Sequence, residues 1–92
     1  MLHVYFSSKY KKSTKKLLRS GNFDIERVKQ ILAKLVAGEH LDSKYKDHSL
    51  TGPLSQYREC HIERDLLLIY EISTHDNYLE LIDIGSHSDL FK

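Results

Sequence analysis

Hydrophobic positions recur at two different spacings along the chain, and the change of spacing separates helical from strand regions. Residues 8–37 repeat at intervals of three and four, which predicts two helices joined by a short turn. Asp24 is the N-cap candidate of the second helix, and Gly21 and Gly38 are stop signals. The apolar face of that helix comprises Ile25, Val28, Ile31, Leu32, Leu35 and Val36.

Alternating and β-branched positions predict one strand before the helices and three after them. Their ranges are 2–6, 57–63, 65–72 and 78–84. Residues 40–56 show neither period and are predicted to be a loop. The order β-α-α-β-β-β indicates an α+β fold. In it a helical hairpin covers one face of an antiparallel sheet. We predict one domain over residues 1–92.

Strand alternation also predicts which side chains form the core. Val28 and its neighbours on the second helix are expected to pack on alternate strand residues. The expected pairs join Ile25, Val28, Leu32 and Leu35 to Leu66, Leu68, Tyr70, Ile82 and Ile84. Asp83 then faces the open side with Leu79 and Leu81. The turn after His61 stays undecided: three residues would place His61 and Asp65 together, whereas two would set Leu66 opposite His61.

Composition restricts the class of protein. The chain is 40% hydrophobic and 29% charged over 92 residues, which is typical of a single globular domain. A single cysteine, Cys60, excludes an internal disulfide and fits a reducing compartment. No apolar run is long enough for a membrane helix, and the N-terminus lacks a signal-peptide pattern. We therefore expect a soluble, cytoplasmic protein with no membrane partner.

Charge is distributed unevenly although the net charge is only +1. Residues 1–46 carry 11 Lys and Arg against four Asp and Glu, and residues 47–92 carry three against nine. The first helix contributes Lys9, Lys11, Lys12, Lys15, Lys16 and Arg19. Such a basic half favours a polyanionic partner. The alternative is an ordinary solvated lysine-rich helix face.

Three histidines and a carboxylate lie in segments that the predicted sheet can bring together: His48, His61, Asp65 and His87. Histidine titrates near neutrality, so such a cluster suits proton transfer. Phe91 follows His87 and can stack on an unpaired base, or it can simply pack the chain end. A zinc site from the same four residues is an alternative, but no tight pair of metal ligands supports it.

Four segments resemble one family. They read YKDHSLTG at 45–52, YRECH at 57–61, DLLLIY at 65–70 and GSHSDLF at 85–91. Their order and the length of the chain resemble YafQ-type toxins of the RelE/ParE toxin–antitoxin superfamily. The resemblance implies a ribosome-dependent endoribonuclease without metal or other cofactor. It also implies an antitoxin partner, with operator DNA bound only through the toxin–antitoxin complex.

The resemblance also assigns residue roles. His48, His61, Asp65 and His87 match the acid–base residues of the family, and Phe91 matches its base-contacting aromatic. The reaction implied is attack of a 2′-hydroxyl on the adjacent phosphate, with His87 and Asp65 transferring protons. His48 and His61 would orient the substrate and neutralise charge. The expected substrate contacts are Lys46, Arg58, Phe91, Lys12, Lys15 and Lys16.

One position departs from the family pattern. Relatives usually carry an arginine where this chain has Asp83, two residues before Gly85. If Asp83 faces the site, it repels the phosphate unless Arg58, Arg64 or Lys46 compensates. This departure keeps a second function open, a weakly catalytic module that mainly binds an antitoxin and represses its operon. A gyrase-inhibiting relative is a third, but such inhibition needs no histidine cluster.

Overall fold

The structure is a computed structural model that describes residues 1–21 and 23–91. The elements in chain order are β1 (His3–Phe6), α1 (Ser8–Ser20), α2 (Ile25–Val36), β2 (His48–Ser49), β3 (Arg58–Glu63), β4 (Leu66–Ser73), β5 (Tyr78–Gly85) and α3 (His87–Leu90). Short 3₁₀ turns at Ser43–Tyr45 and Gly52–Leu54 flank β2. The predicted α+β fold, with its helical hairpin, is confirmed.

Both long helices begin and end where the sequence predicts. The Ser7 side chain accepts a hydrogen bond from the Tyr10 backbone, and the Asp24 side chain accepts one from the Arg27 backbone. These bonds satisfy amide groups that have no partner inside a helix. Gly21 ends α1 in the left-handed region at φ 76°, a conformation that glycine adopts without strain. Ser7 and Asp24 therefore stabilise the first turns of α1 and α2.

The sheet has five strands in the order β1-β5-β4-β3-β2. The consecutive strands β3, β4 and β5 form the predicted antiparallel meander. β1 joins the far edge parallel to β5. The prediction that residues 40–56 form only a loop is wrong, because His48 and Ser49 pair with β3 as an edge strand. A two-residue strand is too short to show alternation in the sequence.

The core lies between the helices and one face of the sheet. Val28, Ile31 and Leu35 of α2 are buried there. The sheet residues of this cluster are Cys60, Ile62, Leu66, Leu68, Tyr70, Leu79, Leu81 and Ile84. Leu32 is partly buried and packs against this cluster, whereas Ile25 is partly buried and is not part of it, so the expected place of Ile25 in the core is wrong. The buried side of α2 follows Val28 at three- and four-residue steps, and Leu32 lies beside it.

A register shift in β5 alters which residues reach the core. Ile69 pairs with Asp83, whereas its neighbour Tyr70 pairs with Leu81, so Ile82 is an extra residue. A bulge of this kind breaks simple alternation along a strand. Leu81 and Ile84 therefore both belong to the core, and Ile82 does not. The prediction that Ile82 packs against the helices is wrong, as is the placement of Leu79 and Leu81 on the open face.

The connection between β3 and β4 settles the turn that the sequence left undecided. Glu63 pairs with Leu66, so only two residues, Arg64 and Asp65, form the turn. A second register shift between His61 and Glu63 pairs His61 with Leu67. Leu66 is therefore not opposite His61, and His61 lies on the face away from the helices.

Among the described residues no helix is long and apolar enough to cross a membrane.

Candidate active site

Three aromatic rings form a row on the open side of the sheet. The ring centroids of His61 and His87 are 5.7 Å apart, and those of His87 and Phe91 are 6.4 Å apart. His48 extends the row, with its ring 6.5 Å from that of His61. Phe91 is 46% exposed, which leaves its ring accessible for stacking. The structure thus brings the three predicted histidines and Phe91 together.

Asp65 orients His87 through two contacts. Its Oδ1 accepts a hydrogen bond from the His87 backbone at 3.1 Å and lies 3.0 Å from the Nδ1 atom. A carboxylate can only accept, so the contact favours a proton on Nδ1 and leaves Nε2 to exchange protons. The same two hydrogen bonds lower the pKa of Asp65. The carboxylate therefore stays charged where His87 needs it.

His87 owes its position to the start of α3. The Ser86 side chain accepts a hydrogen bond from the Asp89 backbone, and the Asp89 side chain accepts one from the Ser86 backbone. This reciprocal arrangement is a capping box, which stabilises even a four-residue helix. Gly85 precedes it, and a Cβ there would come within 3.1 Å of the Asp89 Cβ. The glycine therefore lets α3 turn closely against the end of β5.

Glu59 lies between the other two histidines. Its Oε1 is 3.4 Å from His61 Nε2 and 3.7 Å from His48 Nε2, and the residue is only 6% exposed. The Nδ1 atom of His48 lies 2.6 Å from the carbonyl oxygen of Lys46, which holds the ring from its other side. A buried carboxylate is favourable only with such partners.

The same groups form a plausible ligand set for a metal ion. One ligand atom from each of Glu59, His61 and His87 lies within 4.8 Å of the others. Imidazole nitrogen and carboxylate oxygen suit zinc and copper. The predicted zinc ligands differ from this set, because Asp65 and His48 are not in it. A bound ion would occupy the imidazoles needed for proton transfer.

Arg58, a predicted substrate contact, does not join the row of rings. It pairs with Tyr70 in the sheet, and its guanidinium donates to both carboxylate oxygens of Asp47, at 3.3 and 3.2 Å, and to Ser49. Tyr70 also donates to Asp47. The hydrogen bond to Asp47 raises the pKa of Arg58. Arg58 therefore holds β2 and its His48 against β3.

Asp83 is also placed away from the histidines, which corrects the expectation that it faces them. The Ser13 hydroxyl donates to its Oδ1 at 2.6 Å, and Lys9 Nζ lies 3.6 Å from its Oδ2. Both partners belong to α1, on the helix side of the sheet. The bulge at Ile82 turns Asp83 toward α1, where it is 4% exposed. Asp83 therefore links β5 to α1 through its contacts with Ser13 and Lys9.

The predicted RNA contacts on α1 are exposed. Lys12, Lys15 and Lys16 all lie on the solvent side of the helix, together with Lys9, Lys11 and Arg19. Lys46 is exposed as well, in the left-handed region at φ 50°, just before the strand that carries His48. Whether these cations contact nucleic acid stays a prediction.

Known proteins resemble this chain along nearly its whole length. A family profile described as "Bacterial toxin of type II toxin-antitoxin system, YafQ" matches residues 2–92. The chain belongs to the YafQ family. The mRNA interferase toxin YafQ of Escherichia coli K12 is 33% identical over 96% of this chain and 94% of its own length.

Solved structures give the same fold for YafQ relatives. A metal-bound toxin from Helicobacter pylori has a TM-score of 0.90 at 42% identity, covering 99% of this chain and all of that one. YafQ in the E. coli DinJ–YafQ complex has a TM-score of 0.88 at 29% identity and covers both chains fully. The resemblance based on four segments is therefore confirmed at the level of family and fold.

Sequence reasoning missed Glu59 as a member of the site. The signal was present, because alternation along β3 already placed Glu59 and His61 on the same face. Nothing in the sequence showed that His48 would approach Glu59 from a separate edge strand. In this chain the pairing of β2 with β3 sets His48 opposite Glu59.

Proposed function

We propose that this toxin is an mRNA interferase, a metal-independent endoribonuclease that cuts mRNA on the ribosome. The observation that carries the proposal is the row of His61, His87 and Phe91, with Asp65 and Glu59 as carboxylate partners. The row combines two groups that can exchange protons with one exposed aromatic ring. An endoribonuclease that uses the substrate's own hydroxyl needs one group to take a proton and another to give one.

The proposed chemistry divides between two histidines. His61, held by Glu59, takes the proton of the 2′-hydroxyl as its oxygen forms a bond to the adjacent phosphorus. The bond from phosphorus to the 5′-oxygen breaks, and His87 gives that oxygen a proton. The products are a 2′,3′-cyclic phosphate and a 5′-hydroxyl. Asp65 acts through His87, because its Oδ1 is already bound to that residue.

The weakly catalytic alternative loses its main support. It depended on Asp83 facing the phosphate, whereas Asp83 binds Ser13 and Lys9 beneath α1. No compensating cation is then required at that position. A cognate antitoxin remains part of the proposal, since the E. coli relative was solved as the DinJ–YafQ complex. We infer that α1 contacts ribosomal RNA through Lys12, Lys15 and Lys16.

Toe-printing on a translated mRNA tests the proposal. Wild-type toxin should cut the message only when ribosomes translate it. His87→Ala should reduce cleavage about 10²–10⁴-fold, the usual contribution of one acid–base group. The antitoxin complex and the thermal midpoint should be unchanged, because His87 is exposed. Undiminished cleavage by His87→Ala would refute the assignment, and ribosome-free cleavage at the same rate would refute ribosome dependence.

Metal dependence has its own test. Toxin treated with EDTA and then dialysed free of the chelator should cut ribosome-bound mRNA as fast as untreated toxin, since the reaction proposed needs no ion. Zinc or copper should inhibit, because the ion would bind the imidazoles of His61 and His87. Glu59→Gln should weaken this inhibition by removing the carboxylate ligand. Restoration of activity by either metal after chelation would show that the ion takes part in catalysis.

A further inference from the structure

A basic pocket borders the histidine row on one side. It is a cavity of about 420 Å³ between the start of α2, the 3₁₀ turn at Ser43–Tyr45 and the turn between β3 and β4. Its charged lining consists of four cationic side chains and one carboxylate: Arg27, Lys44, Lys46, Arg64 and Glu63. His61 lines the pocket too, so the pocket and the row share one wall.

The cations of this pocket are available to a ligand. Within residues 1–21 and 23–91, Arg27, Lys46 and Arg64 form no ion pair with a carboxylate, and Lys44 lies over the Tyr45 ring at 5.2 Å. Arg58 differs, because Asp47 binds its guanidinium from two sides. A cation that is already paired adds little attraction for an incoming anion. The four pocket cations outnumber the one carboxylate of the lining, Glu63, so the pocket keeps a net positive potential.

The histidine row itself lacks that potential. Glu59 and Asp65 place two carboxylates beside the three imidazoles. With neutral imidazoles the row repels an anionic backbone, so the attraction that seats an RNA strand must come from adjacent cations. The pocket lies next to His61, where such cations are needed. Arg27 comes from α2, Lys44 and Lys46 come from the 3₁₀ turn and its end, and Arg64 comes from the turn between β3 and β4.

We propose that this pocket binds a backbone phosphate of the RNA substrate, next to the phosphate that is cleaved. The inference rests on the proposed ribonuclease activity and adds a second point of attachment to it. The strand would run from Phe91, which stacks on a base, past His87 and His61, and into the pocket. Two anchors on either side of the histidines align the 2′-hydroxyl with the phosphorus better than one. Phosphate contacts of this kind position a strand without reading its sequence.

Binding of a non-cleavable oligonucleotide tests the pocket directly. We would measure fluorescence anisotropy of a short 2′-O-methyl RNA with the double variant Arg27→Gln/Lys46→Gln. The matched control is Lys29→Gln/Lys34→Gln, which removes two exposed cations from the same region without touching the pocket. The pocket variant should bind about tenfold or more weakly, and its salt slope should fall by about 0.7, for one lost phosphate contact. The control should bind nearly as wild type.

The outcome separates this inference from the proposed activity. If wild-type toxin fails to cut mRNA but the pocket variant loses RNA affinity, the ribonuclease proposal fails and the pocket stands. If His87→Ala abolishes cleavage but both double variants bind RNA equally, the pocket proposal is overturned. Titration with inorganic phosphate provides a second readout. Amide shifts should appear at Lys44, Lys46 and Arg64 in the wild type and disappear in the pocket variant, and shifts elsewhere only would refute the site.

Discussion

The two faces of the sheet carry different kinds of residue. The face toward the helices is lined by apolar side chains that are at most 8% exposed, with Asp83 as its buried charge. The other face presents Glu59, His61 and the contact between Asp65 and His87. Buried apolar residues occur there too, since Leu67 is 0% exposed beside His61. One face therefore provides most of the stability, and the other provides chemistry at some cost in burial of charge.

Alanine substitutions at two adjacent leucines of β4 test whether the two faces have separate roles, and they should give the largest loss of stability. Leu67 and Leu68 are both 0% exposed but point to opposite faces. Each change to alanine should destabilise by about 2–5 kcal/mol through a lost contact and a cavity. Urea denaturation measures this. Only Leu67→Ala should also slow cleavage per folded molecule, because Leu67 pairs with His61. Equal cleavage by both folded variants would show that the faces are not separate in function.

Asp83→Asn tests the buried charge on the helix face. Removing its negative charge leaves Lys9 unpaired and weakens the bond from Ser13, which should cost about 1–3 kcal/mol. Asp83→Arg should destabilise at least as much, because it buries a cation beside Lys9. Cleavage at temperatures where both variants are folded should change little. An increase in the cleavage rate of Asp83→Arg would return position 83 to the active site.

Glu59→Gln tests the buried charge on the open face. The variant keeps the shape of the side chain but loses the charged contacts to His48 and His61. Cleavage should fall about tenfold, as the loss of a close carboxylate contact worth about 1.4 kcal/mol implies. The thermal midpoint should stay the same or rise, because an amide is less costly to bury than a carboxylate. A lower midpoint with unchanged cleavage would make Glu59 purely structural.

The acid titration of Asp65 gives the smallest effect. Its pKa is lowered by the hydrogen bonds from His87, so the contact is fully present above the ordinary carboxyl pKa. The contact is lost only as the pH falls through the lowered pKa. An NMR titration of the Asp65 side-chain carboxyl should therefore show a midpoint below the ordinary carboxyl pKa. Loss of the contact already near neutrality would contradict the geometry of α3.

Periodicity predicted most of this fold because most elements are long enough to show it. The helices, the meander and the positions of His61 and His87 followed from spacing and from the resemblance. The errors of facing in β5, at Leu79, Leu81, Ile82 and Asp83, have one cause, since a bulge inserts a residue without leaving a mark in the sequence. β2 was not predicted because a strand of two residues shows no period. The approach of His48 to Glu59, which depends on β2, was therefore not predicted either.

The parallel pairing of β1 with β5 has a consequence for the order of folding. Ser7 donates to the carbonyl of Ile82 across 75 residues of chain, whereas β3, β4 and β5 follow one another through short turns. Closing the long loop costs more entropy, so the hairpins should form first and β1 should dock late. Val4→Ala in β1 should accordingly speed unfolding and leave the refolding rate nearly unchanged. His61, Asp65 and His87 would then meet while the far edge of the sheet is still unpaired.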